Sequence, residues 1–157
     1  DIEKYEDICY LLLFGNFPNE EENKIFNNYL KSRYSLPKTF IQDNIFNSPS
    51  INIMNKIQRA FLMLYREDEN PDDSSYESTI TKGLSLLAKL PAIIVYSYYS
   101  KIHTLEGKDL IIHPTDKTLN IRESFLYLLK GNDYTEEEVK TLDLLLMLHA
   151  DHGIGTN

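Results

Sequence analysis

The sequence predicts an all-α fold, formed as a single domain by residues 1–157. Apolar residues recur at intervals of three and four along most of the chain, which is the spacing of a buried helix face. Capping residues and glycines divide this pattern into separate segments. No stretch alternates apolar and polar residues as a strand does. Leu110-Ile111-Ile112 is the one candidate strand, and it is short.

The first half of the chain contains four predicted helices. An apolar stripe predicts a first helix that ends at Gly15, because glycine readily ends helices. Asn19 is the expected N-cap of a second helix, which runs to about Tyr34. Pro37 begins a short third helix that continues through Ile45. The stripe of the fourth helix consists of Ile53, Met54, Ile57, Ala60, Phe61 and Leu64.

The second half contains three further helical patterns, which follow a charged loop at residues 66–75. A helical pattern runs from Ser75 to about Ile102, and a proline inside it, Pro91, is expected to kink or break the helix. Asn120 or Thr118 caps the next helix, which runs through Leu129. Thr135 and Glu138 form a capping-box pattern that opens the last helix.

Composition excludes several classes of protein. The net charge of −8 argues against a general nucleic-acid binder, which needs clustered basic residues. The longest apolar runs are shorter than the roughly 20 residues of a membrane span, so no membrane partner is expected. Five charged residues among the first seven argue against a signal peptide. Cys9 is the single cysteine, so no disulfide is expected, and the predicted compartment is the cytoplasm.

The end of the chain is the strongest candidate for a functional site. Residues 149–156 read His-Ala-Asp-His-Gly-Ile-Gly-Thr and follow an apolar helical run. The two histidines fall short of a metal site, because zinc needs at least three protein ligands. We interpret His149 as a structural residue that faces the core. His152 precedes the glycine Gly153, so it is placed to meet a ligand and donate a hydrogen bond to a developing oxyanion.

The other two histidines have weaker indications of function. His103 lies near the end of a predicted helix, where a histidine interacts favourably with the helix dipole. His113 lies in a loop before a proline, and both a functional role and a solvated imidazole are consistent with that position.

The C-terminal segment resembles the His-Ala-Asp/Glu-His signature of the citrate synthase family. Three earlier segments are similar to other motifs of that family and occur in the same order. They are Tyr5–Pro18 (ending Leu-Leu-Phe-Gly-Asn-Phe-Pro), Leu87–Pro91 (Leu-Ala-Lys-Leu-Pro) and Arg122–Leu126 (Arg-Glu-Ser-Phe-Leu). Together these segments extend the resemblance over nearly all 157 residues.

The resemblance implies a multi-helical bundle that corresponds to part of the citrate synthase large domain. It also implies condensation of acetyl-CoA with oxaloacetate to citrate and CoA, with acetyl-CoA as a substrate and no cofactor. His152 is then the catalytic residue that stabilises the enolate of acetyl-CoA. His113, Gly153 and Asn157 are the implied substrate-binding residues, and the implied assembly is a homodimer.

The sequence also departs from the family pattern. Thr156 stands where the family usually has asparagine, and no segment matches the later part of the family with its general-base aspartate. We therefore expect a fragment of a longer enzyme that is inactive by itself. Two alternatives stay open, a fragment of a 2-methylcitrate synthase and a stand-alone helical interaction module without catalysis. A reading frame that continues past Asn157 would favour an enzyme.

Overall fold

Seven α-helices form the fold within the residues that the structure, a computed structural model, describes: 4–151 and 153. They are α1 (Tyr5–Phe14), α2 (Glu20–Ser32), α3 (Lys38–Ile41), α4 (Ile53–Met63), α5 (Tyr76–Glu106), α6 (Ile121–Lys130) and α7 (Glu136–Leu148). A π-helical turn, Gln42–Phe46, continues α3, and a 3-10 turn, Leu64–Glu67, continues α4. These residues include no strand, so the predicted all-α class is confirmed.

The predicted helix boundaries are confirmed by the cap hydrogen bonds. Asn19 Oδ1 accepts from the backbone N–H of Glu22, and the Glu22 carboxylate accepts from the backbone N–H of Asn19. The same reciprocal arrangement opens α6 at Asn120 and α7 at Thr135. Each capping box satisfies backbone donors that the first helical turn leaves free. Gly15 ends α1 with a φ of 82°, in the left-handed region that favours glycine.

The central element is α5, which packs against α2, α4, α6 and the π-helical turn. Its C-terminal half contributes Ile93, Val95 and Tyr96 to the larger of two buried clusters. Its N-terminal half contributes Leu84 and Ala88 to the second cluster, which also contains side chains from α1, α2 and α6. Helix α5 therefore joins the two halves of the core.

The expected break at Pro91 does not occur. Helix α5 runs without interruption from Tyr76 to Glu106, with Pro91 buried inside it. A proline costs the helix one backbone hydrogen bond, but Ala88 and Ala92 are buried on either side of it. Packing of the flanking residues therefore outweighs the local preference of proline, as tertiary contacts often do.

Helix α5 also meets the length and hydropathy criteria for a membrane-spanning helix. It has 31 residues and a window of mean hydropathy 1.3, so by length and composition it could cross a membrane. Uninterrupted apolar runs in the sequence do not indicate this, because polar residues divide the helix into short runs. In the fold, α5 is a core helix on which α2, α4 and α6 pack. The absence of a membrane partner stays a prediction.

A buried lysine connects α4 to the π-helical turn. Lys56 is 1% exposed, and its ammonium group donates hydrogen bonds to the backbone carbonyls of Asn44 and Ser48. Burial, with a smaller effect of the nearby charge of Arg59, lowers the pKa of Lys56 from 10.5 to about 8. The ammonium group of Lys56 thus satisfies two backbone carbonyls, although removing its charge from water costs free energy.

We expect Lys56→Met to lower the free energy of unfolding by ~2–3 kcal/mol, because it leaves the two carbonyls without their donor. The expected loss also depends on pH. Between pH 8 and 10.5 the folded wild type binds fewer protons at Lys56 than the unfolded chain, so its stability rises with pH. The variant lacks that rise, and the loss should therefore grow over this interval.

Urea unfolding from pH 7 to 10.5 measures both effects. Lys38→Met, which changes an exposed lysine of α3, is the matched control and should change stability by less than ~0.5 kcal/mol. Equal losses in the two variants at every pH would contradict the role assigned to Lys56.

Candidate functional site

Helix α7, which leads to the histidine motif, has no buried residue. It packs against α1 and α6, yet Leu144, Leu145 and Leu148 are 54%, 49% and 67% exposed. Apolar burial of α7 is therefore only partial in this chain, and polar contacts add to it.

Three charged side chains connect α7 to α1 and α6. Arg122 of α6 is 5% exposed, and its Nη1 lies 2.6 Å from Asp143 Oδ1 of α7. Its Nη2 lies 3.5 Å from Glu6 Oε2 of α1, which is 3% exposed. We call Glu6, Arg122 and Asp143 the Arg122 network. The short contact with Asp143 is a charge-assisted hydrogen bond, the stronger class in proteins.

Backbone donors complete the Arg122 network. Glu6 Oε1 accepts from the backbone N–H of Ile121, at the start of α6, at 3.1 Å. Asp143 Oδ1 accepts from the backbone N–H of Tyr5, at the start of α1, at 2.9 Å. Both carboxylates therefore lie at helix N-termini, where the dipole also favours negative charge.

The Arg122 network was not predicted from the sequence, although a signal for it is present. Asp143 interrupts an apolar run, and a carboxylate on a packed helix needs a partner. Its partner, Arg122, is 21 residues away, and Glu6 is more than 100 residues away. Helical periodicity relates only neighbouring turns, so it gave no indication that these three residues meet.

The structure corrects the expectation that His149 faces the core. His149 is the exposed C-cap of α7, and its Nδ1 lies 2.7 Å from the backbone carbonyl oxygen of Leu145. The apolar face that it was expected to extend is itself half exposed, because α7 lies on the outside of the helices described. His149 therefore closes the last turn of α7 through a local hydrogen bond.

A local hydrogen bond follows α7 within the histidine motif. Asp151 Oδ1 accepts a hydrogen bond from the backbone N–H of Gly153 at 3.0 Å, which is the pattern of an Asx turn. Gly153 has a φ of 64°, in the region that glycine adopts without strain. The residue between them, His152, lies outside the described residues, as does Asn157. Their predicted roles therefore stay predictions.

His113 lies against the end of α6. Its imidazole ring packs on Tyr127 with 5.7 Å between ring centroids, and its carbonyl accepts a 2.7 Å hydrogen bond from Tyr96 Oη. Gly131 makes room for the ring, because a Cβ there would lie 3.0 Å from His113 Cε1. The imidazole is half-buried, and neither of its nitrogens forms a hydrogen bond with another residue that the structure describes.

No hydrogen bond or ring contact between described residues joins His113 to the end of α7. His103 is likewise separate, since it is exposed and its Nδ1 lies 2.7 Å from the carbonyl oxygen of Lys108. Within residues 4–151 and 153, no three His, Cys, Asp or Glu residues form a group able to bind a metal. Cys9 is buried, and burial raises its pKa to about 11, so it is a core residue.

The sequence was compared with known protein families, and one family matches almost the whole chain. The family described as "Citrate synthase, C-terminal domain" matches residues 2–157. The chain belongs to the citrate synthase family.

Curated relatives in the citrate synthase family match nearly the whole chain. The citrate synthase of Heyndrickxia coagulans is 29% identical over 148 residues, which cover 94% of this chain and 38% of that protein. The citrate/2-methylcitrate synthase of Bacillus subtilis is 26% identical over 152 residues, which cover 97% of this chain and 39% of that protein. The chain thus spans less than two fifths of the length of these relatives.

Solved citrate synthase structures have the same fold. The enzyme of Pyrobaculum aerophilum superposes with a TM-score of 0.83 at 24% identity, over 98% of this chain and 39% of that one. A citrate synthase of Thermoplasma acidophilum, in a ternary complex with carboxymethyl coenzyme A and oxaloacetate, gives a TM-score of 0.79 at 21% identity. That match covers 97% of this chain and 38% of the other.

We expect Arg122→Met to lower the free energy of unfolding by ~3–5 kcal/mol, because it leaves two largely buried carboxylates without their cation. Lys130→Met is the matched control on the same helix. It breaks an exposed pair in which Lys130 Nζ and Glu138 Oε1 are 2.7 Å apart, and it should cost less than ~1 kcal/mol. Denaturant unfolding measures both losses. Equal losses would show that the Arg122 network does not determine the stability of this part of the fold.

Proposed function

We propose that the protein containing this chain condenses acetyl-CoA with oxaloacetate to give citrate and CoA. Membership of the citrate synthase family is the observation that supports this proposal most directly. The ligands of the Thermoplasma acidophilum complex, an analogue of an acyl-CoA and oxaloacetate, agree with it. Acetyl-CoA is a substrate, and we propose no cofactor and no metal. We also propose that the protein acts in the cytoplasm.

The reaction forms a carbon–carbon bond in two stages. A base removes a proton from the methyl group of acetyl-CoA, and the resulting enolate attacks the ketone carbon of oxaloacetate. Hydrolysis of the thioester then releases citrate and CoA. The base is not among the residues that we assign.

We assign to His152 the hydrogen bond that stabilises the enolate oxygen. The turn around it supports the assignment, since Asp151 and Gly153 are joined by a hydrogen bond across His152. In general, a hydrogen-bond donor that is preorganised stabilises developing charge with little reorganisation. The packing of α7 through Asp143 fixes the helix that precedes this turn.

We assign substrate binding to three further residues. His113 is proposed to contact oxaloacetate, since its imidazole is half-buried against Tyr127 and neither ring nitrogen forms a hydrogen bond with another described residue. The backbone of Gly153, which has no side chain to exclude a ligand, is proposed to lie close to the substrate. Asn157 is proposed to bind substrate through its amide.

A second question is which acyl-CoA the full-length protein uses as its substrate. The relative named citrate/2-methylcitrate synthase makes propionyl-CoA an alternative to acetyl-CoA. The two substrates differ by one methylene, which a hydrophobic site discriminates by about 10- to 200-fold. Comparing kcat/KM for acetyl-CoA and propionyl-CoA, each with saturating oxaloacetate, decides between the two activities. No turnover of either substrate by the full-length protein would instead support the non-catalytic interaction module.

In the full-length protein, we expect His152→Ala to lower kcat by roughly 100- to 1,000-fold. The KM for oxaloacetate should change much less, because the hydrogen bond strengthens only as charge develops on the thioester oxygen. His149→Ala is the control three residues earlier. His149 is exposed, and among the described residues its side chain bonds its own helix, so this variant should retain kcat within a few-fold.

Steady-state kinetics and melting temperatures of both variants make the comparison. A His152→Ala protein that keeps its activity, or a folded His149→Ala protein that loses it, would show that the two roles are reversed.

We further propose that the protein is a homodimer, with α1 and α7 at or near the interface. These two helices pack together, and both expose large apolar side chains. The exposed side chains are Leu12, Leu13 and Phe14 of α1, and Leu144, Leu145 and Leu148 of α7. Soluble monomers rarely expose contiguous apolar surface of this kind.

We expect Leu148→Glu to shift self-association to higher protein concentration by at least about tenfold, because it introduces a charge that association would bury. Leu62→Glu, at a leucine of α4 that is 76% exposed, should leave association unchanged. Light scattering over a concentration series measures both. Equal shifts in the two variants, or a wild type that stays monomeric, would contradict an interface at α7.

A further inference from the structure

Asp143 is the last residue of α7 that a hydrogen bond joins to another helix within the described residues. Its Oδ1 accepts from Arg122 Nη1 at 2.6 Å and from the backbone N–H of Tyr5 at 2.9 Å. From residue 144 to residue 151, the side-chain hydrogen bonds between described residues all stay within the segment 145–153. In this part of the chain, the first half of the histidine motif therefore has no polar connection of its own to α1 or α6.

Apolar contacts hold the C-terminal half of α7 only in part. Leu142, Leu146 and Met147 are half-buried, and Leu148 is 67% exposed. Apolar contacts are non-directional, so on their own they leave a helix some freedom to slide along its axis or rotate about it. Two hydrogen bonds that meet on one carboxylate oxygen restrict both movements, because each bond has a preferred length and direction.

The histidine motif begins a short distance after Asp143. The rise from Asp143 to His149 is about 9 Å, at 1.5 Å per residue of helix. Helix α7 is regular over this interval, since it runs from Glu136 to Leu148 and His149 is its C-cap. A displacement of the helix at Asp143 is therefore passed on to the segment that begins with His149.

We propose that Asp143 and Arg122 are positioning residues for the condensation, a role that rests on the function proposed for His152. Their contact sets the height and rotation of α7, and with them the place at which the motif presents its hydrogen-bond donor to the enolate. A misplacement of about 1 Å in a catalytic site lowers a rate by up to about 100-fold. Neither side chain is expected to contact substrate, because Arg122 is 5% exposed, Asp143 is 14% exposed and the two are paired with each other.

Glu6 provides the matched comparison within the Arg122 network. It is as buried as Arg122, but its hydrogen bond and ion pair go to α6, to the backbone N–H of Ile121 and to Arg122 Nη2. Glu6→Gln therefore weakens a buried ion pair and leaves the contact between Arg122 and Asp143 in place. If the network served stability alone, Glu6→Gln and Asp143→Asn would lower activity alike. Positioning of α7 predicts that only the change at Asp143 lowers it.

Steady-state kinetics of the full-length protein, well below its melting temperature, test the proposal. We expect Asp143→Asn to lower kcat roughly 10- to 100-fold, with the KM for oxaloacetate changed by less than about threefold. Asp143→Glu keeps the charge but is one methylene longer, so it either displaces α7 or loses one of its two bonds. It should therefore lower kcat as well. Glu6→Gln, and Glu137→Gln at an exposed carboxylate of α7, should keep kcat within about threefold. If Asp143→Asn does not fold, Asp143→Glu decides.

Hydrogen exchange without substrate gives a second measurement, which does not depend on turnover. The backbone amides of residues 146–151 should exchange at least about tenfold faster in Asp143→Asn than in the wild type, because the end of α7 opens locally when its connection is lost. The same amides should exchange at the wild-type rate in Glu6→Gln.

The two measurements separate this proposal from the proposed function. In an active wild type, unchanged kcat in both Asp143 variants would overturn the positioning role, and so would equal losses of kcat in Glu6→Gln and Asp143→Asn. A wild type that makes neither citrate nor 2-methylcitrate contradicts the proposed function itself. The exchange rates then decide alone, and unchanged rates in Asp143→Asn would show that Asp143 does not position the end of α7.

Discussion

The position of α7 depends on one buried arginine. Because no residue of α7 is fully buried, apolar packing is a weak constraint on where the helix lies. Arg122 joins the carboxylates of α1 and α7, and each carboxylate also accepts a backbone N–H at a helix N-terminus. Directional hydrogen bonds thus determine the placement of α7, whereas the core around α5 is fixed by apolar contact. The site that we propose lies at the end of the helix placed in this way.

This arrangement separates the scaffold from the groups that we propose to contact substrate. Helix α5 and its two buried clusters form a core. His113 packs against that core through Tyr127 and Gly131, and its conformation is therefore supported by side chains around it. The segment after α7 instead depends on local hydrogen bonds, from His149 back to α7 and from Gly153 to Asp151. Such a turn leaves the motif accessible, which a residue that meets a substrate requires.

Most of the fold could be predicted because its helix ends are encoded locally. Asn19, Asn120 and Thr135 each cap a helix with side chains three residues apart, so a short window of sequence contains the whole signal. The errors arose where distant residues decide the outcome. Pro91 lies within a continuous helix because packing on both sides supports it. The apolar face of α7 was interpreted as facing the core, although Leu144, Leu145 and Leu148 are about half exposed or more. The Arg122 network could not be predicted from helical periodicity, because its three residues are far apart in sequence. The prediction for His152 stays a prediction, since this residue lies outside the described residues.

The same network has a consequence for the order in which the chain folds during synthesis. Glu6 is made more than 100 residues before its cation partner. The third member, Asp143, follows later still. Until α7 leaves the ribosome, the first backbone N–H of α1 lacks its Asp143 acceptor. Helix α1 can already pack on α2 and α5 at that stage, through the cluster that contains Cys9, Leu84 and Ala88, and the Arg122 network then completes its contacts.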